Sequence, residues 1–351
     1  MNLIIVHKKY PSVSCTADSS DSLLQFALTN EPVNGVVLDG LSRCLHWGRN
    51  GEFFYAIPKE WNIVTQLPGL KTVAYTDKVP ICREFLQKAK RRYWLVISDG
   101  QFAAQIDHRL LNKLLSKIPA DLVAVNVEPD LSGKQEKMRL TAQGKVAGFR
   151  RLYYDSTEPA PICNWPHYLF IKTNIFEQLL IDGVLPQSFP TLLENCRSNS
   201  LRSYGANTGG IVFDLETQEG LLNFCVAGIS KMKHSKLDFH NSNQISQDSK
   251  LIGKVLLGKN IYIGPKTTLI GPAIVGNNVK IEQGVIINSS IIGSEVSVPK
   301  NKVVQNRIVK GPSCDWKQLT PLTNYSPVFN SGPKRHINES FRYWPRFSYT
   351  N

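Results

Sequence analysis

The chain has 351 residues, about twice the length of a common single domain, so two folded units are expected. Apolar residues make up 42% and charged residues 20%, enough to bury real cores and too apolar for a disordered polymer. Lys and Arg number 41 against 28 Asp and Glu, and the surplus of +13 calls for an anionic partner without choosing among a phosphorylated ligand, nucleic acid and a membrane face.

The chain opens on Leu3–Val6, an apolar run too short for the core of a signal peptide, and no later run reaches the ~20 apolar residues of a membrane helix, so a cytoplasmic protein is expected. Strand-like and helix-like segments then alternate to about residue 235, which predicts an α/β sheet with helices on its faces. The expected strands are Leu3–Val6, Gly35–Leu38, Phe53–Ile57, Thr72–Tyr75, Trp94–Ser98, Leu122–Val127, Tyr168–Lys172 and Ile211–Phe213. A helix is expected from Asp107 to Ile118: Leu110, Leu111, Leu114, Leu115 and Ile118 form one stripe, Asp107 can cap its start and Pro119 follows its end. The basic cluster Lys88, Lys90, Arg91 and Arg92 reads as a solvated helix end, and Asp39, Cys44 and His46 as loop residues lacking the elbow a nucleophile needs. Seven scattered cysteines with no CxxC pair predict reduced thiols rather than a disulfide framework or zinc site.

Residues 236–250 are polar and read as a linker. Beyond them Leu251, Leu257, Ile263, Leu269, Val275, Ile281 and Ile287 recur every six residues. A second column, Val255, Ile261, Thr267, Ala273, Val279, Val285 and Ile291, follows four residues behind and is small or β-branched throughout. Neither a helix nor a hairpin has a period of six, whereas short strands coiling about a triangular core do. The pattern over 251–309 resembles the hexapeptide repeat of left-handed parallel β-helices, and ten units make about three coils. Glycines 258, 264 and 276 fall where the chain must turn, and the register slips by one after Ile287 to resume at Ile292, Val298 and Val304. Residues 310–351 read as an extended tail of prolines, aromatics and basic residues.

An α/β unit followed by a hexapeptide coil resembles the sugar-1-phosphate nucleotidyltransferases, and particular residues carry the likeness. Trp94-Leu95-Val96-Ile97-Ser98-Asp99-Gly100 resembles that family's central strand ending in an aspartate, Ala120–Val125 its next strand, and Gln143–Phe149 its hairpin. Ile211–Leu222 resembles the segment bearing the second aspartate, Asp214, within the family's Asp-x-Gly-Thr; Glu216 stands at the glycine position. The resemblance implies that Asp99 and Asp214 hold Mg²⁺, a hard cation suited to carboxylate and phosphate oxygens.

The family's glycine-rich loop after the first strand, of the form Gly-x-Gly-x-Arg-Leu-x-Pro, is missing. His7-Lys8-Lys9-Tyr10-Pro11 stands there, and the first glycine is Gly35. Lys8, Lys9 and Arg150 are the substrate-binding candidates, since they supply charge where the family uses backbone amides. Losing that cradle removes electrostatic stabilisation of the transition state, so weak catalysis or none is expected. The family's Glu-Lys-Pro segment is also replaced, by Arg150-Arg151-Leu152.

The tail segment Ser340–Tyr349 mixes aromatics with arginine, as at a membrane interface. It resembles the lead-in to bacterial polyprenyl-phosphate hexose-1-phosphate transferases. The expectation is therefore a degenerate nucleotidyltransferase-like module of surface-polysaccharide or nucleotide-sugar metabolism. It would bind a nucleotide sugar or sugar phosphate, or scaffold a membrane-bound sugar-phosphate transferase at the cytoplasmic face of the inner membrane. Two alternatives stand beside it: an active Mg²⁺-dependent nucleotidyltransferase, and a structural module forming a homo-oligomer through the β-helix. No known module supports nucleic-acid binding, and no histidine lies between His240 and His336 to serve as an acyltransferase base.

Overall fold

The computed structural model describes residues 2–6, 22–44, 53–58, 61, 70–75, 94–106, 115–129, 134–140, 146–153, 166–181, 186, 189–231 and 242–316. The first unit contains β1 (Asn2–Val6), α1 (Leu23–Thr29), α2 (Val33–Cys44), β2 (Phe53–Pro58), β3 (Leu70–Tyr75), β4 (Trp94–Asp99), β5 (Phe102–Ile106) and β6 (Leu122–Pro129). It continues through a hairpin, β7 (Lys134–Leu140) and β8 (Val146–Tyr153), to β9 (Tyr168–Lys172), α3 (Phe189–Ser198), β10 (Ser203–Asp214) and α4 (Gln218–Lys231).

Eight of these strands form one mixed sheet in the order β3-β2-β1-β4-β9-β6-β10-β5. All run in one direction except β9 and β5, which are antiparallel to their neighbours. The central strands are nearly continuous apolar runs because both faces are covered. On one face Leu95, Ile97, Leu122, Ala124, Leu169 and Ile171 pack under α3; on the other Val96, Val123, Val125 and Phe170 join the core beneath α1, α2 and α4.

The sequence reading of Gly35–Leu38 as a strand is corrected here, since these residues lie inside α2. Val33, Val36, Val37 and Leu41 are all buried and recur at three and four residues, a helical spacing that the short run Val36-Val37-Leu38 conceals. Gly40 lets α2 approach α4, because a Cβ there would come within 2.7 Å of the Phe224 ring. Of the helix expected at 107–118, residues 115–117 are helical, while Asp107 and the rest of its start, like the basic cluster at 88–92 and the tail beyond 316, lie outside the described residues.

The second unit is a parallel β-solenoid of four turns. Its twelve short strands stack as three four-stranded sheets: β11 (Gln244–Ile245), β14 (Tyr262–Ile263), β17 (Lys280–Ile281) and β20 (Ser297–Val298); β12 (Lys250–Ile252), β15 (Thr268–Ile270), β18 (Ile286–Asn288) and β21 (Val303–Gln305); and β13 (Val255–Leu257), β16 (Ala273–Val275), β19 (Ile291–Ile292) and β22 (Ile308–Val309). It starts earlier than the repeat suggests, because Gln244 and Ile245 already pair with β14, Tyr262–Ile263, so the first coil begins inside the segment read as linker. Both apolar columns point inward, with one exception. After the slip Ser290 takes the inner position, where its hydroxyl donates to the Asn288 carbonyl, and Ile291 turns outward in register with Ile274.

The corner chemistry also differs from the expectation. Four of the nine left-handed positions in the solenoid belong to asparagines, Asn260 (φ 55°), Asn278 (57°), Asn301 (57°) and Asn306 (52°), which tolerate that conformation, and Gly253 and Gly284 take two more. Gly258 and Gly276 instead permit coils to stack, since a Cβ on either would approach the backbone of the next coil within 2.9 Å.

The two units pack together. The outward residues Leu256, Ile274, Ile291 and Ile308 of the third solenoid sheet join the helix-side core of the first unit. Lys254 donates from Nζ to the carbonyls of Ile229 (3.3 Å) and Ser230 (2.8 Å), satisfying the C-terminal end of α4 with a cation where the helix dipole favours one. No helix among the described residues is long and apolar enough to cross a membrane.

Candidate functional site

In an open α/β sheet the ligand crevice lies outside the carboxyl ends of the strands, where successive connections leave in opposite directions. Here that point falls between β1 and β4, because β2 and β3 extend from one side of β1 and β4 lies on the other. Val6, the last residue of β1, is in register with Asp99, the last of β4. Asp99 thus occupies the switch point by backbone placement. Lys8 and Lys9 lie outside the described residues. Arg150 sits opposite Lys137 in the β7–β8 hairpin, which leaves the same carboxyl edge after Pro129 but forms a separate two-stranded sheet. The side chains of Asp99 and Arg150 are not among those described.

The second aspartate is carried to the same place by a division of labour in β10. Ser203–Gly210 pairs with β6, and Gly210–Asp214 then pairs with β5, the strand that follows Asp99 after a two-residue turn. At the handover, Gly210 allows the close approach of Gln105, whose carbonyl would meet a Cβ at 2.3 Å. Asp214 is consequently in register with Phe102, three residues and at most about 10 Å of chain from Asp99. Leu215 closes the junction by donating its amide to the Gln101 carbonyl at 2.9 Å.

Asp214 is buried, and its Oδ1 accepts from Gln101 Nε2 and from the Glu216 amide, each at 3.1 Å. Its carbonyl accepts the Thr217 hydroxyl at 2.9 Å, and Thr217 Oγ1 in turn caps α4 by accepting the Gly220 amide at 3.0 Å. Glu216, at the position where the family resemblance implies glycine, turns its carboxylate to the start of α1. Oε1 accepts from Ser22 Oγ at 2.7 Å and Oε2 from the Leu23 amide at 3.0 Å. Burial raises the Glu216 pKa above the ordinary carboxylate value; the bonds from Ser22, Leu23 and Leu24 counter this, and the nearby Asp214 charge adds to it.

A further polar group lies beside Asp99. Ser98 pairs with Tyr168, and Tyr168 with Val125, so the next positions toward the carboxyl edge are Asp99, His167 and Asn126, with Asn207 in register beyond. His167 and Asn126 are buried. His167 Nδ1 accepts the Val127 amide at 3.0 Å, which leaves the proton of the neutral ring on Nε2, and its ring stands edge-on to Phe102 at 5.6 Å. Sequence reasoning missed Gln101, Ser22, His167 and Asn126. For His167 and Asn126 the signal available was the polar residue that interrupts each apolar central strand at this one edge; Ser22 and Gln101 lie outside the strands and carry no such signal.

Mg²⁺ needs several oxygen ligands, and of the two aspartates the resemblance implies for it, Asp214 is the one whose side chain is described. Asp214 Oδ1 is taken by two N–H donors, and both Glu216 oxygens face donors on α1. Among the described residues no group of three or more His, Cys, Asp or Glu side chains gathers in a way that could hold a metal ion.

No protein-family model matches the sequence, and no curated protein matches it. Among solved structures the chain is similar to HddC from Yersinia pseudotuberculosis, with 9% identity, 64% of this chain and 96% of that one covered, and a TM-score of 0.40. It is also similar to a Bacillus anthracis protein provisionally assigned as a glucose-1-phosphate thymidylyltransferase and crystallised with sucrose. There the identity is 11%, the coverage 65% and 94%, and the TM-score 0.38.

Proposed function

We propose that this chain is a degenerate nucleotidyltransferase-like module that binds a nucleotide sugar or sugar phosphate at the carboxyl edge of its sheet and does not transfer the nucleotidyl group. The observation that carries the reading is the commitment of Glu216. A carboxylate stands where the resemblance implies glycine, and it is spent on α1, beside an Asp214 whose own carboxylate holds the β10–α4 turn. Placement of Asp99 at the switch point favours a ligand there, and the surplus of positive charge favours an anionic one. The setting this implies is bacterial surface-polysaccharide or nucleotide-sugar metabolism, with the module scaffolding a sugar-phosphate transferase.

One observation favours the catalytic alternative: Asp99 and Asp214 flank a single short turn, as two Mg²⁺ ligands would have to. One pair of assays decides between them. The protein is titrated with nucleotide sugars, sugar 1-phosphates and NTPs by thermal shift, and pyrophosphate release is followed with Mg²⁺, sugar 1-phosphates and each NTP. Stabilisation by a nucleotide sugar or sugar phosphate without pyrophosphate release is expected. Release that Asp99→Asn abolishes would replace the binding reading with the catalytic one, and no shift with any ligand would remove both.

A further inference from the structure

Helix α1 is held at each end by a part of the chain remote in sequence. Ser22 Oγ and the Leu23 amide donate to Glu216, on the turn that carries Asp214. About 10 Å further along, the length of seven helical residues, the end of the helix is tied to solenoid corners. Asn30 Oδ1 accepts the Ser294 amide at 3.0 Å, the Glu31 carbonyl accepts Ser294 Oγ at 3.4 Å, and Glu31 Oε2 accepts Asn277 Nδ2 at 3.4 Å. Between the two ends Phe26 lies against the same corner, so closely that a Cβ on Gly293 would stand 2.7 Å from its ring. Asn30 also bonds from Nδ2 to the Phe26 carbonyl, which fixes the amide that receives Ser294.

We propose that α1 is a tie that couples the Asp214–Thr217 turn to the solenoid. A short helix clamped at both ends transmits displacement rather than absorbing it, so the turn and the Gly293–Ser294 corner share one equilibrium. A ligand that rearranges the turn changes how firmly the solenoid is held, and the docked solenoid biases the turn toward the arrangement seen here. The statement about ligand rests on the function proposed above; the coupling itself does not. A polar contact of the solenoid elsewhere, from Lys254, reaches the far end of α4 instead and provides an internal reference.

Hydrogen exchange on the whole chain without ligand tests the tie. Glu216→Ala is expected to speed exchange of the Ser294 amide, at the opposite end of α1, by about tenfold or more, and Asn30→Ala to do the same at Glu216 and Thr217. Lys254→Ala should speed exchange in the last turn of α4 and leave Glu216 and Thr217 unchanged. The tie is overturned if each variant acts only at its own end of α1, or if Lys254→Ala loosens the turn as much as Asn30→Ala does. Because no ligand is present, failure here leaves the binding reading intact, and failure of the ligand titrations leaves the coupling intact.

Discussion

Replacing Gly220 with alanine gives opposite answers from helix propensity and from the tertiary structure. Gly220 lies in the first turn of α4, where alanine would gain about 1 kcal/mol on propensity alone. In the folded chain its Cβ would sit 2.0 Å from the Asp214 carbonyl oxygen and 2.8 Å from both the carbonyl carbon and Thr217 Oγ1. Ordinary contact begins near 3.4 Å, so the helix start must move off the strand by more than 1 Å. That movement breaks the bonds holding the junction: Thr217 amide to Asp214 carbonyl at 3.2 Å, Thr217 hydroxyl to the same carbonyl at 2.9 Å, and Gly220 amide to Thr217 Oγ1 at 3.0 Å. At about 1 kcal/mol each these outweigh the propensity gain, leaving a net loss of about 2 kcal/mol. Urea denaturation followed by tryptophan fluorescence reads the change, and a lower midpoint at unchanged slope is expected. An unchanged or raised midpoint for Gly220→Ala would refute the account of this junction.

Two further outcomes follow from packing and charge. Ile291 and Ile286 are both β-branched aliphatics in the same solenoid strand region, yet Ile291 is buried against the first unit while Ile286 is 40% exposed. Ile291→Ala should therefore cost about 2–5 kcal/mol and Ile286→Ala about 0.5 kcal/mol or less in the same assay; equal costs would show that the third sheet does not dock. Asp121 begins the amino edge of β6, where burial alone would raise its pKa, but bonds from the Arg202 amide (3.0 Å), Lys172 Nζ (2.9 Å) and Arg202 Nε (3.3 Å) outweigh burial and hold it at about 2. A depressed carboxylate adds stability that is present above its unfolded value near 3.8 and lost as pH falls toward 2, on the order of 2 kcal/mol. Asp121→Asn should lower stability at neutral pH and flatten this acid limb, and an unchanged limb in denaturation measured from pH 6 to 2 would refute the assignment.

The solenoid was legible because its coil repeats locally. A column of aliphatics every six residues has one physical solution, and that column is inward in all three sheets from Leu257 to Val309. The central strands were legible for a similar reason, since runs such as Trp94–Ser98 and Leu122–Val127 are apolar on both sides. Misreadings arose where a short apolar run fits two periods, as in α2, or where one residue of slip exchanges inside for outside, as at Ser290 and Ile291. A period of six also hides the longer one that matters for assembly. The docked outer row, Leu256, Ile274, Ile291 and Ile308, recurs only once per full coil, because only one of three faces meets the first unit.

The sequence by itself determined the two-unit plan, the aspartates worth watching and the missing glycine loop, since composition, short periods and local motifs are properties of neighbouring residues. Only the tertiary structure decided what those aspartates stand beside. Strand β10 must pass from β6 to β5 before Asp214 reaches the turn after Asp99, and Glu216 finds Ser22 across 194 residues of chain. Contacts at such separation depend on how the whole sheet closes, and no local pattern encodes which donor a buried carboxylate will meet.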